Sequence, residues 1–62
     1  MSLEGKIRDL ENKARQCEQK AAACQQLYGK TGRNVYKEEE GQYARLAQEY
    51  YAKASSLRAY GE

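Results

Sequence analysis

Histidine is absent from this sequence, and aspartate occurs once, as Asp9. Histidine is the side chain that most often performs acid–base catalysis near neutral pH, and Ser55 and Ser56 have no such base beside them. The acidic run from Glu38 to Glu40 is consecutive, which predicts solvated carboxylates rather than a pair converging in a cleft. We therefore expect no enzyme activity, no cofactor and no small-molecule substrate.

Phenylalanine, tryptophan and proline are also absent, and hydrophobic residues make up only 40% of the chain. A chain of 62 residues is one domain at most, and chains this short are marginally stable unless disulfides, metals or association add to the core. No segment approaches the roughly 20 apolar residues of a membrane span, and no basic-then-apolar segment predicts a secretion signal. We expect an intracellular, cytoplasmic protein that makes no membrane contact.

Neither sign of charge is in large excess: 32% of residues are charged, and the net charge is only +2. Binding to nucleic acid usually needs a clustered basic excess. Lys30, Arg33 and Lys37 are close in sequence, but Glu38 to Glu40 follow them and would repel phosphate. The balance argues against a nucleic-acid partner, and a small nucleic-acid-binding helical bundle stays as an alternative.

The two cysteines are Cys17 and Cys24, seven residues apart. On a helix this spacing separates them by about 10 Å, which is beyond disulfide reach within one chain. Without histidine or a CxxC pair they make a poor metal site, so we predict no bound metal. Their expected role is that of small buried hydrophobic residues, and an interchain disulfide or redox sensor is the alternative.

Residues suited to a helix–helix seam recur at heptad spacing in both halves of the chain. If the chain folds back between Gly29 and Asn34, Ala21 faces Tyr43, and Ala14 faces Tyr50. In nearly every facing pair a large residue meets a small one, which predicts two closely packed antiparallel helices. The predicted seam consists of Leu3, Ile7, Leu10, Ala14, Cys17, Ala21, Cys24 and Tyr28 in the first helix, and of Tyr36, Tyr43, Ala47, Tyr50, Ala54 and Leu57 in the second.

Local signals predict where the helices begin and end. Ser2 is a suitable N-cap for a helix over 3–28, and Gly29 is a suitable residue to end it. The turn is predicted over 29–34, with Asn34 capping a second helix over 35–60. The predicted fold is all-α: residues 1–62 form a single antiparallel two-helix hairpin with an Ala/Tyr seam, which dimerises into a four-helix bundle.

A second charge pattern supports a competing arrangement. In a parallel pair of first helices, Lys6 would reach Glu11 of the other copy, and Lys13 would reach Glu18. The small seam residues are explained better by the tyrosines of the second helix than by such a dimer. The two arrangements are also compatible, with hairpin contacts on one face of the first helix and contacts between copies at its edge.

An apolar, tyrosine-rich strip is expected outside the seam. Its predicted members, which form the candidate partner interface, are Leu27, Leu46, Tyr51 and Tyr60. Tyrosine-rich amphipathic surfaces are typical of protein–protein interfaces. The sequence thus predicts a small helical oligomerisation or adaptor module, whose partner is a second copy or another helix.

The segment from Gly41 to Ala54, with Tyr43, Ala47 and Tyr51, resembles the second helix of tetratricopeptide and trafficking-type helical-bundle domains. The resemblance covers one helix, and its spacing differs by one residue from the tetratricopeptide pattern. It therefore transfers no function to this chain. A peptide-binding helical hairpin of a trafficking-type domain stays as a further alternative.

Overall fold

A computed structural model describes residues 2–61 and consists of two long helices packed against each other as a hairpin. Helix α1 spans Leu3–Thr31 and helix α2 spans Asn34–Gly61. The hairpin measures 46 × 14 × 12 Å, and its radius of gyration of 14.2 Å exceeds the roughly 10.6 Å of a compact domain of this length. The predicted all-α hairpin is confirmed, and its shape is a thin rod.

The start of α1 is fixed by the predicted cap. Ser2 has extended backbone angles, and its hydroxyl oxygen accepts a hydrogen bond from the Gly5 amide at 3.2 Å. Its carbonyl accepts the first helical bond from Lys6, and Glu4 places a negative charge in the first turn. These interactions satisfy amides that would otherwise lack partners at the positive end of the helix.

The prediction that Gly29 ends α1 is wrong, because the helix continues to Thr31. Gly32 is the residue that stops it: its φ of 70° lies in the left-handed region, and its amide donates to the Tyr28 carbonyl at 2.7 Å. Glycine reaches this conformation without the steric cost that other residues incur. Both glycines fit a helix end by sequence, and only Gly32 takes that conformation.

The turn is shorter than predicted. Arg33 follows the capping glycine, and its amide donates to the Thr31 hydroxyl oxygen at 3.3 Å, while that hydroxyl donates to the Leu27 carbonyl at 2.8 Å. Helix α2 begins at Asn34, one residue earlier than predicted, and ends at Gly61, one residue later. A connection this short leaves the helices antiparallel and adjacent.

The acidic run lies beyond the first turn of α2. The first turn of α2 contains no acidic residue, and Glu38 to Glu40 begin in the second turn. Because the helix dipole acts mainly within the first turn, these carboxylates interact weakly with it.

The core lies along the seam and is narrow. Its buried side chains are Ile7, Ala14, Cys24, Ala47 and Ala54. The other predicted seam residues are half-buried, except Leu3, of which 37% is exposed. Three of the five buried residues are alanines, so the helices approach closely while little apolar area is covered.

Contacts between the helices lie in the register predicted from the sequence. The Leu3 side chain occupies the space where a Cβ on Gly61 would lie. Lys20 lies over the ring of Tyr43, with its ammonium 5.6 Å from the ring centroid. Nearer the turn, the Cys24 sulfur is 3.7 Å from a carboxylate oxygen of Glu39. Within residues 2–61, neither helix is long and apolar enough to cross a membrane.

Candidate protein-interaction surface

The four predicted interface residues are exposed, but they do not form one strip. Leu27, Leu46, Tyr51 and Tyr60 are 40%, 39%, 36% and 88% exposed. Tyr51 follows Leu46 by five residues, which places it about 140° further around α2. Tyr60 shares a heptad position with Leu46 but lies about 21 Å further along the helix. The four residues are therefore divided between the two edges of the hairpin, and their role as a partner interface stays a prediction.

One edge, here called the acidic edge, carries the glutamates of α1. It consists of two heptad rows, Glu4, Glu11, Glu18 and Gln25 on α1, and Lys37, Ala44, Tyr51 and Arg58 on α2. Two contacts join these rows across the helices. Arg58 forms an ion pair with Glu11 at 2.6 Å, and Tyr51 lies beside Glu18, close enough to interact with its charge.

The opposite edge, here called the basic edge, carries the lysines of α1. Its rows are Lys6, Lys13, Lys20 and Leu27 on α1, and Glu39, Leu46, Lys53 and Tyr60 on α2. Each member lies two residues after a member of the acidic edge, hence about 200° around the same helix. Lys20 and Lys53 lie over the seam tyrosines Tyr43 and Tyr50. Within residues 2–61, none of this edge's lysines has a carboxylate within ion-pair distance.

A cleft of about 420 Å³ runs along the acidic edge between the helices. Small residues line it, including Ala22, Gly41 and Ala44, and Tyr51 lies at one end. A Cβ added to Gly41 would meet no atom within 4 Å. The cleft therefore has room for a side chain from another molecule.

Partial removal of the phenol from water as it packs against α1 raises the pKa of Tyr51 above its ordinary value. The hydrogen bond to Glu18 and the negative charge of that carboxylate raise it further, and the charge of Arg15 opposes them. The phenol therefore keeps its proton at physiological pH, and it lies beside the Glu18 carboxylate at the edge of the cleft.

Both cysteines are free thiols, and Cys24 is the buried one. Burial raises the pKa of the Cys24 thiol, and the neighbouring charges of Glu39 and Glu40 raise it further. The thiol donates to Glu39 rather than ionising. Because the thiolate is the nucleophilic form, this environment disfavours a redox role for Cys24. Cys17 is half-buried in the same seam.

The charges near the turn are dispersed. Lys30 is in the last turn of α1, whereas Arg33 is in the connection. The Lys37 side chain lies over the Tyr28 ring, with its ammonium 5.9 Å from the ring centroid. Within residues 2–61, no three potential metal-binding side chains come together.

No protein-family model matches this chain, and comparisons with curated proteins and with solved structures give no match either. The geometry of the edges is therefore the basis for a functional hypothesis. Reasoning from the sequence missed Lys37 and Arg58 on the acidic edge and Lys53 on the basic edge. Their heptad spacing in α2 was the signal that could have identified them.

Proposed function

We propose that this chain is a small helical oligomerisation or adaptor module that acts through protein–protein contacts. In its simplest assembly two hairpins pair to form a four-helix bundle. The observation that carries the proposal is the amount of surface that the isolated hairpin leaves in water.

The hairpin exposes 4973 Å². A compact folded monomer of 7.1 kDa is expected to expose about 4,100 Å². The excess of roughly 900 Å² is similar to the area of about 800 Å² that each partner buries in a standard protein–protein interface. One interface of ordinary size would therefore bring the exposed area per chain close to that of a compact protein.

The composition of the core supports the same proposal. Ile7 is the only large aliphatic side chain among the five buried residues, and within residues 2–61 no large side chain is below 2% exposed. Among these described residues, six large apolar side chains are exposed, including Leu27, Leu46 and Tyr60. At about 25 cal/mol per Å² of apolar area, covering these residues would contribute more than the alanines of the seam can.

The cleft on the acidic edge is a suitable place for this contact. The small lining residues Gly41, Ala22 and Ala44 let another helix approach closely, and Tyr51 offers a rigid aromatic surface beside them. Helices commonly associate by placing apolar side chains in such a groove between two helices.

Sedimentation equilibrium at tens of micromolar protein, with circular dichroism on the same samples, tests the proposal. We expect a dimer or larger species, with the same mass with and without reductant because the thiols lie in the seam. A fully helical monomer at every concentration would contradict the proposal.

A matched pair of variants connects the association to the cleft. Ala44→Arg places a long charged side chain at the cleft and is expected to weaken association. Ala23→Arg makes the same change on an exposed position nine residues after Ala14, about 180° from the seam, and is expected to leave the mass unchanged. Equal effects of both variants would show that the contact lies elsewhere.

A further inference from the structure

We propose that the association is directional: the acidic edge of one hairpin packs against the basic edge of the next, with the two copies parallel. This inference rests on the proposed function, because it specifies how copies of the chain meet. It is carried by the complementarity of the two edges, row by row.

The α1 rows are complementary in charge. When two parallel copies lie side by side without axial shift, Glu4, Glu11 and Glu18 lie beside Lys6, Lys13 and Lys20 of the next copy. Each pair is two residues apart in numbering, which is an axial offset of only about 3 Å. The lysine side chains are long enough to span this offset. Within residues 2–61 these lysines have no carboxylate partner in their own hairpin.

The α2 rows are also complementary, in three different ways. Lys37 lies beside Glu39 of the next copy, which pairs opposite charges. Ala44 lies beside Leu46, which pairs a small residue with a large one. Tyr51 and Arg58 lie beside Lys53 and Tyr60 of the next copy, and each of these pairs sets a cation beside an aromatic ring. The direction of α2 is opposite to that of α1, yet the same unshifted alignment satisfies both rows.

The cleft provides the steric part of this fit. Leu46 of the next copy would enter beside Ala44, where Gly41 leaves open space. Leu27 of the next copy would lie beside Gln25, at the other wall of the cleft. The two exposed leucines would thus be covered by the same contact that pairs the charged rows.

A face-to-face dimer uses the edges less completely. Contact between two acidic edges leaves both lysine rows and both copies of Leu46 uncovered. An acidic-to-basic contact joins two different surfaces, so each copy keeps one free edge to which another copy can bind. Unless the rotation between copies closes a ring, the assembly grows copy by copy. We therefore expect the mass to rise progressively with concentration and to fall with added salt, which screens exposed ion pairs.

Two charge-reversed proteins test the pairing. The first carries Glu4→Lys and Glu18→Lys, which makes both of its edges basic. The second carries Lys6→Glu and Lys20→Glu, which makes both of its edges acidic. Each protein alone is expected to associate at least about tenfold more weakly than the unmodified chain, because attractive pairs become repulsive. An equimolar mixture is expected to regain association, since every contact between unlike copies pairs opposite charges.

The matched control carries Glu38→Lys and Glu49→Lys, which changes the net charge as much as the first variant does. Both positions lie about 180° to 200° from Ala47 on the outer surface of α2, so this protein is expected to associate like the unmodified chain. Circular dichroism of each variant checks that the helices are intact.

The outcomes separate the two proposals. Suppose that the unmodified chain oligomerises. If either charge-reversed protein alone oligomerises equally well, or if the mixture of the two stays monomeric, directional stacking is overturned and the proposed oligomerisation stands. Tighter binding of the Glu4→Lys, Glu18→Lys protein to the unmodified chain than of the unmodified chain to itself, with no rescue in the mixture, would point to a dimer through two acidic edges. An unmodified chain that is always monomeric would overturn both proposals.

Discussion

The seam and the edges of this hairpin are built from different kinds of complementarity. Along the seam, Ala14, Ala47 and Ala54 are almost completely buried and lie among half-buried tyrosines. Along the edges, charged rows alternate with exposed apolar residues, and within residues 2–61 one ion pair, between Arg58 and Glu11, joins the helices. The seam therefore depends on the packing of small against large side chains, whereas the edges carry charged and apolar side chains that stay exposed in the hairpin.

This difference separates folding from association. Packing of small against large residues is short-ranged and insensitive to salt, so it can specify the hairpin. Exposed charges contribute little to the stability of a monomer, typically below about 1 kcal/mol for each pair. They are better suited to choosing a partner and its orientation. Variants of the seam should thus change the stability of the fold, and variants of the edges should change the mass in solution.

The largest change in the stability of the fold is expected when a seam alanine is replaced by a larger residue. Ala14 has no exposed surface, so Ala14→Leu should overpack the seam and lower the free energy of unfolding by about 1–3 kcal/mol. Ala47→Leu should act similarly. Ala23→Leu, on the exposed side of α1, is the control and should change stability little. Urea unfolding measures all three, and an unchanged or increased stability of Ala14→Leu would mean that the seam is not packed as described.

Substitutions of the two glycines near the turn should change the stability by a smaller amount, and in opposite directions. Gly32→Ala forces a Cβ into the left-handed conformation and should destabilise the hairpin by about 1 kcal/mol. Gly29→Ala places alanine inside α1, where a Cβ would meet nothing within 4 Å, and should stabilise it by about 1 kcal/mol. Thermal unfolding of the two variants checks the signs, and the reverse order would restore Gly29 as the end of α1.

A smaller change in stability is expected when the Cys24 thiol ionises at alkaline pH. Burial raises the pKa of Cys24, so in the unfolded chain this thiol loses its proton at lower pH than in the hairpin. Stability should therefore be unaffected by this group below the ordinary thiol pKa and should fall as pH rises above it. Cys24→Ala should reduce that alkaline loss, and the raised pKa of Tyr51 leaves part of it in place.

The contribution of the thiol is isolated by comparing Cys24→Ala with the unmodified chain. Urea unfolding from neutral to alkaline pH compares the variants. The same pH dependence in Cys24→Ala and in the unmodified chain would show that Cys24 does not titrate differently on folding.

The hairpin was predictable from the sequence because heptad spacing determines which residues share a helix face. The pairing of Ala21 with Tyr43 was predicted from heptad spacing and from the fit of a small residue against a large one, and Lys20 over Tyr43 lies in that register. The end of α1 was not predictable, because Gly29 and Gly32 are equivalent by propensity. The choice depends on which glycine lets the short turn bring Asn34 into α2.

The arrangement of the exposed apolar residues was predicted less well than the seam. Leu46, Tyr51 and Tyr60 share an apolar character, which does not reveal their positions around α2. Tyr51 follows Leu46 by five positions, which places the two residues on opposite edges. The charged members of the same rows, such as Arg58, become visible once the two helices are set side by side.

The concentration dependence of thermal unfolding tests most directly whether this hairpin relies on a second copy. Association that involves only the folded state stabilises it by mass action. Over about a hundredfold range of protein concentration at low salt, the account predicts that Tm rises by several degrees and that the rise shrinks at high salt. A Tm that stays the same over this range, with full helicity at the lowest concentration, would contradict it.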